Sequence, residues 1–305
     1  MEFTFTKATK EQAKLKLAIF GPSGSGKTFT ALRLATGLGG RIAFVDTERG
    51  SASKYADRFE FDVLNLEQTD IATYCAAIKA AENAGYDVLI IDSLSHGWQE
   101  LLAEVDKLAR AKYGGNTWSA WSEGTPKQRQ LVDAILMFNG HIIATMRTRT
   151  EWTITTDDRG KTKPVRVGTS PEQGKGIEYE FDLLMEVNPE HVVTIIKDRT
   201  GKFQDQIIEK PGEELGQALL AWLEQGEPPE PAWDYLPDFS GWDKKQWPRL
   251  WDLAITKLQY QNRNQVKDTL KNVFNGNAEQ ITYEAAWQQL VDYQRAKYAD
   301  REAAF

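Results

Sequence analysis

The chain has 305 residues, 41% hydrophobic and 27% charged, with a formal net charge of -7. That length holds one large domain of ~200 to 250 residues with a small appendage, or two ordinary domains, and the composition excludes a wholly disordered or membrane-embedded chain. The single cysteine, Cys75, excludes an internal disulfide and a zinc cluster of several thiolates, and the acidic balance confines any DNA contact to a local basic patch. The apolar runs fall far below the ~18 residues of a membrane span, and the polar, alternating Met1 to Lys10 does not read as a secretory leader. No membrane partner is expected, and the expected compartment is the cytoplasm.

Short β-type runs alternate with helical stretches as far as about Asp198. Leu15 to Phe20, Arg41 to Val45, Phe61 to Leu64, Asp87 to Ile91 and His141 to Thr145 read as buried strands bounded by Gly, Asp or Asn. Thr28 to Leu38, Ile71 to Asn83, Trp98 to Lys112 and Pro126 to Phe138 carry apolar residues at three-to-four spacing and read as helices. After Thr145 the texture changes to hairpins. Trp152 to Thr155 and Val165 to Val167 flank the turn Asp157 to Gly160, and strand-like runs follow at Tyr179 to Val187, Val192 to Ile196 and Asp205 to Ile208. The expected fold is α/β, a mostly parallel sheet extended at one edge by an antiparallel meander, with a small helical module at the C-terminus. Glu213 to Glu224 reads as a closing helix, and Gly226 to Pro231 as a linker that cannot continue it. The expected division is a core at 1–225, a Pro-rich linker at 226–240 and a module at 241–305. The module's helices are predicted at Lys244 to Tyr260, Gln265 to Phe274 and Tyr283 to Tyr298.

Gly21-Pro22-Ser23-Gly24-Ser25-Gly26-Lys27-Thr28 matches the phosphate-binding loop pattern, between a predicted strand and a predicted helix. Glycine amides turn inward on phosphate oxygens, Lys27 reaches the terminal phosphates and the Thr28 hydroxyl ligates magnesium. Phe29 completes the expected nucleotide-binding set, and ATP and Mg2+ are the expected cofactors. Asp92 ends an apolar strand and is placed to hold the magnesium through its water shell. Glu48, in Asp46-Thr47-Glu48, also follows a strand and is placed to polarise a water for attack on the γ-phosphate. Each acid has a plainer alternative, a solvated carboxylate after a strand.

Asp46-Thr47-Glu48 resembles the second-strand motif of the RecA-like ATPases, whose glutamate is the catalytic base. The resemblance places an adenine-stacking aromatic at Tyr55, a position an ordinary packing tyrosine would also suit. His141 to Arg147 is similar to the strand carrying the γ-phosphate sensor, with Thr145 or Arg147 standing where that family has a polar amide. Glu178 to Asp182 followed by Ile196 to Gly201 looks like the phage RecA-like ATPases of single-strand annealing, related to the RecA, RadA and KaiC branches. For a phage protein the compartment would be the bacterial host cytoplasm. By the same resemblance, Lys197 and Arg199 project into a neighbouring subunit's site, which implies a ring or filament; two solvated charges on an edge strand are the alternative. The resemblance also implies that the segment after the sensor strand contacts single-stranded DNA through Arg149, Arg159, Lys161, Lys163 and Arg166, with Trp152 available to stack on a base. Glu151, Asp157, Asp158 and Glu172 dilute that charge. Trp118 and Trp121, in a loop expected at Lys112 to Trp121, either stack on bases or pack.

The function expected is therefore an ATP-hydrolysing, DNA-stimulated recombination factor that anneals or pairs single strands. A regulatory ATPase that remodels a protein partner, such as a helicase loader or a KaiC-like switch, shares every ATP-site residue with it. A P-loop kinase would need a basic lid and an acceptor pocket. The C-terminal module has a protein or a DNA interaction as its expected role, with Thr282 capping its last helix and its tryptophans forming its core.

Overall fold

The computed structural model describes residues 10, 12–156, 162–226, 233–243, 245–260, 263–273 and 282–302, with the backbone alone at 152–156, 162–167 and 298–302. The chain divides into two compact units, Met1–Glu227 and Pro228–Phe305.

The described residues of the first unit form nine strands: β1 (Lys16–Gly21), β2 (Ile42–Asp46), β3 (Asp62–Asn65), β4 (Val88–Asp92), β5 (His141–Thr156), β6 (Thr162–Pro171), β7 (Leu183–Val187), β8 (Val192–Asp198) and β9 (Ile207–Glu209). They are ordered β3-β2-β4-β5-β1-β7-β8-β9, with β6 paired to β5. Pairing is parallel from β3 to β7, whereas β7–β8, β8–β9 and β5–β6 are antiparallel. The runs of β1, β2 and β4 are continuously apolar because both faces are covered. Alternate residues Ala18 and Phe20 pack with α2 (Ile71–Asn83), α3 (Leu94–Lys112) and α4 (Thr117–Met137), while Leu17 and Ile19 pack with α1 (Lys27–Leu38) and α5 (Glu213–Leu223).

Several expectations change. β3 is an exposed edge strand rather than a buried one, since all four of its residues are exposed and the sheet ends there. α4 starts at Thr117 and not at Pro126, because the Asn116 side chain caps it by accepting the Ser119 N–H at 3.2 Å. The expected loop is thus the root of a helix: Trp121 packs on Trp98 with ring centres 5.6 Å apart, while Trp118 is 87% exposed. The strand expected from Tyr179 begins only at Leu183, after a single 3-10 turn at Ile177–Tyr179. β5 runs on past Thr145 to Thr156, and the turn Asp157 to Gly160 lies outside the described residues.

The second unit packs α6 (Trp247–Leu258), α7 (Arg263–Val273) and α8 (Tyr283–Glu302) around Trp287, Leu250 and Leu290. Trp242, Trp247 and Trp251 pack against that core. Arg249 and Lys267 cover Trp242 and Trp251 at 4.8 and 4.3 Å. Thr282 caps α8 by accepting the Ala285 N–H at 3.2 Å.

His141, 4% exposed at the start of β5, accepts the Leu15 N–H on Nδ1 at 3.0 Å. Burial first, then the charges of Lys14 and Lys16, push its pKa from 6.5 down to about 3. Between those values the unfolded chain binds a proton that the folded chain refuses. The fold is therefore free of this cost above about pH 6.5 and loses about 1.4 kcal/mol per pH unit as pH falls from there toward about 3. His141→Asn, whose carbonyl offers an acceptor in place of the ring nitrogen, should flatten the acid limb of a melting-temperature profile. A variant limb as steep as that of the parent protein would assign the acid loss to other groups.

Candidate active site

Parallel register brings the carboxyl ends of β1, β2, β4 and β5 to one edge, with Asp46 opposite Asp92 and Gly21 opposite Arg147. The loop from Gly21 to Thr28 joins β1 to α1 at that edge. Gly21 is required by close approach, since a Cβ there would lie 2.3 Å from the Val187 carbonyl oxygen. Gly24 and Gly26 turn the loop with φ of 78° and 88°, a conformation that leaves backbone amides free for an anion. Ser23 is exposed on the loop, and Ser25 is buried with its hydroxyl donating to the Pro22 carbonyl at 2.9 Å. Lys27 lays its Nζ over the loop, donating to the carbonyls of Gly21 (3.0 Å) and Pro22 (2.9 Å). Burial pushes its pKa down, opposed by the charges of Asp92 and Glu48.

Asp92, 2% exposed, accepts the Thr28 hydroxyl at 2.5 Å on one oxygen and the Thr145 hydroxyl on the other. Burial raises its pKa, and these two hydrogen bonds oppose the rise. A hydroxyl beside one carboxylate is the hard oxygen set that suits magnesium, which takes few protein ligands and keeps several waters. Among the described residues no group of three His, Cys, Asp or Glu side chains could hold a metal ion. Buried Asp46 shapes the turn after β2, accepting the N–H groups of Glu48 (2.6 Å) and Ala52 (2.9 Å). The turn presents Glu48 to the cleft, where its Oε1 lies 3.3 Å from an Arg147 guanidinium nitrogen.

A family model described as an AAA domain (AAA_24) matches residues 13–210. The chain belongs to the AAA domain family. No curated protein matches the chain. The match makes it a P-loop ATPase, a group that binds ATP with magnesium, and the AAA domain takes in the loop, Glu48, Asp92 and the strands β1 to β9.

The cleft of the AAA domain has a volume of about 1260 Å3. At one end Phe29 and Tyr55 meet with ring centres 5.8 Å apart, and Phe59 meets the edge of Phe29 at 5.4 Å. Phe29 and Tyr55 line the cleft, and Tyr55 also packs on the core. Buried hydroxyls of Ser51 and Thr148, without protein partners, line it as well. The two candidate sensors separate: Arg147 lines the cleft, whereas fully buried Thr145 is spent on holding Asp92.

Lys197 and Arg199 do not line their own chain's cleft. Lys197 donates to the carbonyls of Glu178 and Tyr179 at 2.9 and 2.8 Å, and Arg199 binds the Tyr179 carbonyl (2.7 Å) and the Asp182 carboxylate (3.2 Å). Arg149 is exposed on β5 and donates to the Ser170 hydroxyl at 3.0 Å. Lys163 and Arg166 lie on β6, opposite Thr155 and Trp152. Arg159, Lys161 and the side chains of Lys163, Arg166 and Trp152 lie outside the described residues.

Three residues that no sequence motif pointed to also reach the cleft: His96, His191 and Arg33. His96 shares a 2.6 Å hydrogen bond with the Thr47 hydroxyl beside Glu48. Burial and then the Arg147 charge hold its pKa below the usual histidine value, so it is neutral at pH 7. Arg33 ties α1 to α5 through Glu213 and the Lys210 carbonyl. A signal existed for the histidines. The chain has only three, and one of them follows Asp92 by four positions.

Proposed function

We propose that this AAA domain protein is an ATP-dependent DNA recombination factor that binds single-stranded DNA and anneals or pairs strands as a ring or filament. One observation supports it above others: β5 passes beside the phosphate loop, with Arg147 opposite Gly21, and continues without a break into the long β5–β6 hairpin that carries Arg149. The hairpin is fastened back onto the ATP site at its root. Glu172 donates its N–H to the Arg147 carbonyl at 2.7 Å and accepts the Ser95 hydroxyl at 2.9 Å. Charge on the hairpin and ATP turnover thus share one strand, an arrangement suited to DNA-stimulated hydrolysis. In this reading Thr28 and, through water, Asp92 would hold magnesium, which would supply positive charge against the phosphoryl oxygens. Glu48 takes the proton of the attacking water, Lys27 holds the terminal phosphates, and Lys197 and Arg199 serve the site of a neighbouring copy.

The test is ATP turnover with and without single-stranded DNA at low and moderate salt. Stimulation is expected, and in Arg159→Ser/Lys161→Ser/Lys163→Ser DNA affinity should fall mainly at low salt, with a salt slope flatter by about 0.7 per lost phosphate contact. In the same assay Arg199→Ala, inactive alone, should regain turnover when mixed with Lys27→Ala subunits, and no rescue despite co-assembly would remove the role in the neighbouring site. A protein that binds no single-stranded DNA at low salt with ATP and magnesium is instead a partner-remodelling ATPase.

A further inference from the structure

His191 occupies the turn between β7 and β8, and that turn lies against the phosphate loop at both ends. At one end the Val187 carbonyl abuts Gly21; at the other, the His191 ring lies 3.0 Å from the position a Cβ on Gly26 would take. The turn is held by its own bonds. Asn188 Oδ1 accepts the N–H groups of Glu190 (3.1 Å) and Val192 (2.9 Å), and the Asn188 carbonyl accepts that of His191 (3.1 Å). Lys210 donates its N–H to the His191 carbonyl at 2.9 Å. His191 itself sits at φ 64°, in the left-handed region.

So held, His191 places Nδ1 2.9 Å from the Ser25 carbonyl oxygen. A carbonyl only accepts, so Nδ1 carries the proton and donates. The backbone ladder of α1 begins one residue later, with the Thr30 N–H on the Gly26 carbonyl at 2.9 Å. In a trans peptide C=O and N–H point in opposite directions. A Ser25 carbonyl drawn toward His191 therefore aims the Gly26 N–H away from the histidine, into the concave side of the loop where phosphate oxygens bind.

We propose that His191 is a positioning residue for the nucleotide: its Nδ1–H fixes the Ser25–Gly26 peptide so that the Gly26 amide is preset for a phosphate. The proposal rests on the phosphate-loop reading of Gly21 to Thr28. Because the amide would bind phosphate in ground and transition states alike, the effect falls on KM and affinity and leaves kcat nearly unchanged.

Three substitutions separate the hydrogen bond from the backbone. His191→Gly accepts φ 64° without strain and removes the donor. His191→Asn also tolerates that backbone, and its amide nitrogen stands where Nδ1 stands. His191→Gln carries its amide one bond farther out. With Mg-ATP and Mg-ADP as probes in titration calorimetry, His191→Gly and His191→Gln should bind about five- to tenfold more weakly, the scale of one net hydrogen bond, with kcat within about twofold. His191→Asn should stay within about twofold of the parent in both. Parent-like affinity in His191→Gly, or a His191→Asn as weak as His191→Gly, would overturn the proposal. Lys27→Ala is the parallel control: if it too binds like the parent, the phosphate-loop reading fails, and if it alone is weak, only the role of His191 fails.

Discussion

Lys27→Ala is expected to lose nucleotide affinity by roughly a hundredfold or more. Its ammonium already rests on the carbonyls of Gly21 and Pro22, within the field of Asp92 and Glu48. Removing it leaves two buried or half-buried carboxylates facing the phosphates with one fewer cation between them. Charge-assisted hydrogen bonds contribute about 1.5 to 3 kcal/mol each, and two of them cover a hundredfold. Titration of the variant with Mg-ATP reads the loss directly, and near-parent affinity would remove the loop as the phosphate site. The fold should survive, because the loop keeps the bonds from the Ser25 hydroxyl and the Thr30 N–H when those from Lys27 are lost.

Glu48→Gln should give the opposite pattern, with binding retained and turnover down by about 10² to 10⁴, the range associated with a general base. The amide keeps the shape of the carboxylate and cannot accept a proton. The contact with Arg147 at 3.3 Å is between half-exposed groups, so its loss should cost little stability. Single-turnover hydrolysis beside an equilibrium binding measurement distinguishes the two effects. Turnover at the parent rate would exclude Glu48 from the mechanism and direct attention to Glu172, the other glutamate lining the cleft.

Much of this site could be read from the chain because its chemistry is local. The loop from Gly21 to Thr28 is contiguous, and Glu48 and Asp92 each follow a strand whose apolar run marks where it ends. His96, His191 and Arg33 escaped notice for the converse reason. Each acts through a partner distant in sequence, as His191 acts on Ser25 across 166 positions, and no spacing rule links such pairs. The start of α4 lies nine residues before the apolar spacing that marks Pro126 to Phe138, because the Asn116 side chain caps the helix at Thr117. The exposure of β3 is not legible in its four residues, because strand order decides which strand lies at the edge and a short run carries no information about its neighbours.

The strand β5 changes partners along its length. As far as Ala144 it is laced to β4 on one side and β1 on the other; from Thr148 onward its strand partner among the described residues is β6. The change of partner falls at Arg147 and Thr148, the two β5 residues that line the cleft. The start of the hairpin and the side chain that contacts Glu48 therefore sit on adjacent residues of one strand.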